Sequence, residues 1–209
     1  MIRVLIADDH AIMRRGLKQI IEEEPGMEVA GEAEGAARAL ELARLCEWDV
    51  AILDISLPGR NGLDALKDIH QEFPKRPILV LTMHQEEQFA IRAFKAGATG
   101  YLTKESAPEE LILALKKVVN GGRYVSPALA ERLASRITDY ERLPHEALSD
   151  REYQVFHLLT TGKTVSAIAQ QLSLSVKTIS TYRTRLLEKM QLKNNAELMH
   201  YAVTHRLFQ

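Results

Sequence analysis

Four apolar runs in the first half of this chain each stop on a residue that can do chemistry. Residues 2–7 lead into Asp8 and Asp9, residues 50–53 into Asp54, residues 78–81 into Thr82, and residues 99–103 into Lys104. The central run, Val50-Ala51-Ile52-Leu53, has no polar alternation, as expected of a strand buried on both faces of a parallel sheet. It ends on a carboxylate and breaks into a loop carrying Pro58, Gly59 and Asn61. Stretches of helical spacing separate the runs. They predict helices over residues 11–24, 36–47, 63–73, 85–95 and 108–120, with a further short strand over 27–31. In the first helix Ile12, Leu17, Ile20 and Ile21 are expected to face inward. Five βα units joined by right-handed crossovers give a doubly wound parallel sheet with helices on both faces.

In such an open α/β sheet, ligands sit just outside the carboxyl ends of the strands. A single Asp at a strand-to-loop junction is more often solvated than functional. Four strand ends that agree point to a site, and the set suits phosphoryl transfer. Paired acids hold Mg2+ through oxygen ligands and leave room for water and phosphate. A further carboxylate can serve as the nucleophile. A hydroxyl and an ammonium offset charge on the transferred oxygens.

Residues 1–122 resemble the receiver domain of two-component response regulators. The resemblance rests on Asp8-Asp9, on Asp54 followed by Leu57-Pro58-Gly59 and Gly62, on Thr82, and on Gly97-Ala98 before Gly100-Tyr101-Leu102-Thr103-Lys104. It implies that Asp54 accepts a phosphoryl group from a phosphohistidine on a sensor histidine kinase. It also implies a Mg2+ site formed by Asp8, Asp9, Asp54 and the backbone carbonyl of Ser56, with Thr82 and Lys104 contacting the phosphoryl oxygens. Thr82 and Tyr101 hold the family's switch positions. Ser56 and His84 are expected beside the phosphoryl group. Glu105 follows Lys104 where many receivers carry proline, which weakens the expectation of a cis peptide there but leaves the role of the lysine.

The 209 residues are 46% hydrophobic, ordinary for a globular protein and enough for two small cores. No apolar run approaches the roughly 20 residues needed to cross a bilayer, and the start of the chain runs directly into a strand. The single Cys46, read as a core residue on a helical stripe, excludes an internal disulfide framework and fits a reducing cytoplasm. The seven histidines show no metal-ligand spacing. The net charge of −1 conceals an asymmetry: residues 1–122 carry 15 basic against 20 acidic side chains, and residues 144–209 carry 8 against 5. Nucleic acid is therefore expected to meet the rear half.

Asn120-Gly121-Gly122 ends the first domain in this reading. A linker with a helix over 127–137 and a hinge over 138–147 follows. Residues 148–209 are read as a small all-α domain. Ser149 with Glu152 forms a capping box. Thr164 and Ser175 can cap helices over 165–172 and 176–190. The two are joined at Ser173-Leu174 as a helix-turn-helix. On the third helix Ile179, Leu186, Leu187 and Met190 share one side, and Lys177, Thr181, Thr184 and Glu188 lie opposite. A face of hydroxyl and basic groups with little acid is what a helix in a major groove needs. This part resembles the LuxR-type helix-turn-helix, through residues 148–152, Ile168-Ala169, Leu172, Leu174-Ser175, Lys177-Thr178 and 188–190. The whole chain thus resembles the NarL/FixJ group of response regulators. That implies a regulator of transcription rather than an enzyme, binding double-stranded promoter DNA through Lys177, Ser180, Thr181, Arg183 and Thr184. The last helix carries apolar residues on two sides, Ala196, Met199, Val203 and Leu207 against Leu198, Tyr201, Ala202 and Phe208, and a homodimer through this helix is expected. A phosphatase of the dehalogenase type would place an acid two residues after the nucleophile, where this chain has Ser56. A degenerate receiver is opposed by the five intact positions.

Overall fold

The structure is a computed structural model that describes residues 1–57, 62–83, 87–136, 143–205 and 207, with the backbone alone at 132 and 134–136. It comprises two compact units, Met1–Thr138 and Asp139–Gln209.

In the first unit the strands are β1 (Ile2–Ala7), β2 (Met27–Ala33), β3 (Val50–Leu53), β4 (Ile78–Thr82), β5 (Gly100–Thr103) and β6 (Tyr124–Val125). The helices are α1 (Ala11–Glu23), α2 (Ala36–Leu45), α3 (Gly62–Glu72), α4 (Glu87–Lys95), α5 (Ala107–Val119) and α6 (Pro127–Arg136). The sheet runs β2-β1-β3-β4-β5-β6 with every neighbouring pair parallel. All four residues of β3 and all five of β4 are buried, whereas β2 at the edge is buried only at its two ends, Met27 and Ala33. Continuous apolar runs therefore became the inner strands, because helices cover both of their faces. Val4, Ile6, Val50, Ile52, Leu79 and Leu81 form one core with Leu17 and Ile21 of α1 and Leu111, Leu115 and Val118 of α5.

The chain moves from β1 out to β2 and then back across to β3, so its winding reverses between β1 and β3. In open α/β sheets that reversal opens a crevice at the carboxyl ends of the strands. Ala7 is the register partner of Leu53, so Asp8 and Asp54 leave the sheet side by side at this point.

Three residues differ from their expected places. Ile12 is 87% exposed on α1, where Met13 packs inward instead. Cys46 is only half-buried, because α2 has ended at Leu45. Tyr124, expected in a linker, forms β6 beside Gly100, and its hydroxyl donates to Glu110 Oε2 at 2.6 Å. A two-residue strand shows no periodicity, and the unpaired edge of β5 supplies its hydrogen-bond partners.

The second unit contains a 3-10 turn (Pro144–Ala147), α7 (Asp150–Thr160), α8 (Val165–Gln171), α9 (Val176–Met190) and α10 (Asn195–Thr204). Ser149 Oγ accepts from Glu152 N and the Glu152 carboxylate accepts from Ser149 N, which completes the capping box. Thr164, Ser175 and Asn194 cap the next three helices one way, each side-chain oxygen accepting from the backbone N–H three residues on. Ser173 makes the turn between α8 and α9 at φ 52°, and its neighbour Leu174 donates back to Ala169 O at 2.9 Å. Tyr153, Phe156, Ile168, Ile179, Leu186 and Leu198 are fully buried and form the core. Glu152 also binds Lys189 Nζ at 2.6 Å, tying α7 to α9.

Candidate functional site

The carboxyl edge of the sheet brings Asp8, Asp54, Thr82 and Lys104 into one buried group, all at most 6% exposed. Backbone pairing fixes them. Asp54 N donates to Ala7 O at 2.8 Å, and Lys104 N to Thr82 O at 2.8 Å. Lys104 Nζ lies 2.7 Å from Asp54 Oδ2 and 2.6 Å from Asp8 Oδ2. Ser56 N donates to Asp54 Oδ1 at 2.7 Å, which anchors the turn after β3. Burial pushes the Asp54 carboxyl up, against the pull of Lys104. Burial alone would lower the Lys104 amine, but Asp54 and Asp8 outweigh it and hold it above its ordinary value.

Asp9 stands at the open side of this group with a side chain 30% exposed. Asp8, Asp9, His10 and Asp54 each offer a ligand atom, all within 4.8 Å of one another. Neither Asp8 Oδ2 nor Asp9 Oδ1 receives a hydrogen bond of good geometry, although both are buried and each has a cation or ring nitrogen close by. Buried carboxylate oxygens with spare acceptor capacity fit a hard divalent cation.

Thr82 and Tyr101 are wholly buried. Their strands pair Val80 with Tyr101 and Thr82 with Thr103, so by strand alternation Thr82 and Tyr101 share one face of the sheet. Gly62 opens α3 against the turn that follows Asp54: a Cβ there would lie 2.4 Å from Ile55 Cα and 2.7 Å from Asp54 O. Residues 58–61 and His84 lie outside the described residues.

The second candidate surface is the outer face of α9. Lys177, Ser180, Thr181 and Thr184 are exposed there. Thr181 Oγ1 donates to Lys177 O at 3.0 Å and Thr184 Oγ1 to Ser180 O at 3.1 Å, leaving their lone pairs outward. Arg183 is turned elsewhere. It is half-buried and its Nε donates to Asn195 Oδ1 at 2.7 Å, joining α9 to α10.

Two residues of these surfaces escaped the sequence reading. His10 directly follows the acid pair, a position whose importance only the folded turn reveals: its Nδ1 is 2.8 Å from Asp9 Oδ1. Val176, 50% exposed at the start of α9, offers an apolar contact beside Lys177. An apolar residue at the first turn of a helix whose core begins only at Ile179 was the available signal.

Residues 4–116 match the response regulator receiver domain family, and residues 146–202 match the bacterial regulatory proteins of the luxR family. The response regulator UvrY of Escherichia coli K12 is 37% identical over 99% of this chain and 96% of its own length. The response regulator GacA of Pseudomonas aeruginosa PAO1 is 36% identical over 98% and 97%. Among solved structures, RcsB of Salmonella enterica serovar Typhimurium bound to promoter rprA with the phosphomimetic BeF3- has a TM-score of 0.66. It is 29% identical and covers 96% of this chain and 98% of that one. A LuxR-family response regulator from Aurantimonas is 41% identical with a TM-score of 0.62, covering 65% of this chain and 96% of its own. No described helix is long and apolar enough to cross a membrane. The chain belongs to the NarL/FixJ group of two-component response regulators, with a receiver domain followed by a LuxR-type DNA-binding domain.

Proposed function

We propose that this protein controls transcription through phosphorylation of Asp54 by a sensor histidine kinase, and that phosphorylation alters its binding to promoter DNA as a homodimer. The observation that carries this reading is the buried Asp54 carboxylate, 2.7 Å from Lys104 Nζ and flanked by Asp8 and Asp9. A carboxylate oxygen of Asp54 attacks phosphorus as the bond to the donor imidazole breaks. The imidazole leaves with the electron pair and takes up a proton. Lys104, already between Asp54 and Asp8, neutralises the phosphoryl oxygens as the Asp54 charge is consumed. Asp8, Asp9, Asp54 and the Ser56 carbonyl would hold Mg2+, which supplies charge neutralisation of the transferred group. Asp54 is buried by apolar strands, and this limits competing water.

Thr82 and Tyr101 are the residues that we assign to the relay, since both are buried on one face of the sheet. A coupling of this kind is typically worth ~1–3 kcal/mol, or roughly 5- to 150-fold in DNA affinity. At the other end Lys177 positions the DNA backbone, while Ser180, Thr181 and Thr184 meet base edges. RcsB, a relative, is seen bound to promoter DNA in the presence of a phosphomimetic, which accords with this reading.

Incubation with a small phosphodonor and Mg2+ should label wild type but not Asp54→Asn. The labelled protein should bind promoter DNA more tightly. Lys177→Ala should weaken all duplexes alike and lower the salt slope by about one unit. Thr181→Ala and Thr184→Ala should shift preference at individual base pairs. Labelling of Asp54→Asn at the wild-type rate would overturn the assignment.

A further inference from the structure

We infer that His10 supplies a nitrogen ligand to the cation of the acidic site, giving it a preference for first-row transition ions such as Mn2+ over Mg2+. This inference rests on the metal-dependent reading above and goes beyond it. His10 is the N-cap residue of α1, yet its side chain makes no capping bond. Its backbone N–H donates to Asp8 Oδ1 at 2.8 Å, and this short loop turns the imidazole back over the acids. Nδ1 lies 2.8 Å from Asp9 Oδ1 and 3.3 Å from Asp8 Oδ1. Neighbouring ligands on an octahedral ion with bonds of about 2.1 Å are separated by roughly 3 Å, and the two observed spacings bracket that value. Asp8, buried at 1% exposure, turns Oδ1 toward His10 and Oδ2 toward Lys104 Nζ in the same pocket.

The choice of ion follows from ligand type. Mg2+ prefers carboxylate, carbonyl and water oxygens, whereas an imidazole suits transition ions, whose affinity for nitrogen rises along the first row. Three carboxylates alone give a site for a hard ion. Adding Nδ1 of an exposed histidine raises affinity for Mn2+ without excluding Mg2+. The imidazole is 65% exposed, so its removal leaves the core intact.

The test compares full-length wild type with His10→Ala and His10→Asp. Titration calorimetry with MgCl2 and MnCl2 gives the ratio of affinities, and pulsed electron paramagnetic resonance of bound Mn2+ reads coupling to nitrogen. Wild type should show imidazole coupling, and His10→Ala should lose it while the Mn2+ to Mg2+ affinity ratio falls about 10-fold. His10→Asp, which restores an oxygen, should bind both ions without that preference. Persistence of the coupling in His10→Ala, or an unchanged ratio with Mg2+ binding intact, would overturn the role of His10 and leave the acidic site standing. Failure of wild type to bind either ion would overturn the acidic site as well.

Discussion

Lys104 Nζ sits between two buried carboxylates, 2.7 Å from Asp54 and 2.6 Å from Asp8, and is itself almost fully buried. Lys104→Ala leaves two uncompensated carboxylates at the sheet edge and should destabilise the receiver by about 3 kcal/mol. Asp54→Asn has the opposite sign. Burial raises the Asp54 carboxyl, so its charged form is costly in the folded state, and a neutral near-isostere should leave the fold at least as stable. Urea unfolding of both full-length variants checks the pair, and equal losses would contradict it.

Gly62 bears on the same site from α3. A methyl group at that position meets Ile55 Cα and Asp54 O inside van der Waals distance, and backbone cannot swing aside like a side-chain end. Gly62→Ala should cost about 1–3 kcal/mol and slow the labelling of Asp54 by small phosphodonors. A variant with unchanged labelling rate and midpoint would show that α3 can shift freely.

Acid should weaken the DNA-binding unit through His157. Burial, with a lesser push from Lys163, lowers this imidazole to about 4 from an ordinary value near 6.5. Between those values the unfolded chain binds a proton that the folded chain refuses, so stability falls as pH drops from about 6.5 to 4, by about 3 kcal/mol in full. Glu152 acts separately. Burial alone would raise its carboxyl, but Lys189 and the capping bonds hold it low, so its contribution is lost only below the ordinary carboxylate range. Amide exchange of α7 in the full-length protein should show the loss above pH 4, and His157→Gln should remove it.

The two apolar sides of α10 now have different fates. Leu198 and Ala202 are buried in the domain, whereas Val203 is 76% and Met199 44% exposed. Leu207, grouped with Met199 and Val203 by spacing, is buried. Leu198→Asp should unfold the helix-turn-helix unit. Val203→Asp should leave it folded by circular dichroism, yet monomeric by sedimentation and without cooperativity on paired sites. A folded, dimeric Val203→Asp would exclude this face as the seam.

The sequence by itself determined whatever depends on neighbours along the chain. Apolar runs without alternation became the buried strands β1, β3 and β4. Carboxylates placed directly after β1 and β3 reached the sheet edge. Ser149, Thr164 and Ser175 capped the helices they precede, because a cap needs only the next three residues. Tertiary structure decided what depends on distant partners. Ile12 keeps the helical spacing of a core residue, yet α1 turns it to the outside because Met13, Leu17 and Ile21 already fill the contact with the sheet. Arg183 has the composition of a DNA contact, but Asn195 twelve residues later holds it. Tyr124 found a strand to join only because β5 had an open edge. His10 met the acids because the turn from β1 into α1 folds back on itself, and α10 divided its two apolar sides according to where α7 lay. Periodicity records which residues share a face; only packing decides which face is covered.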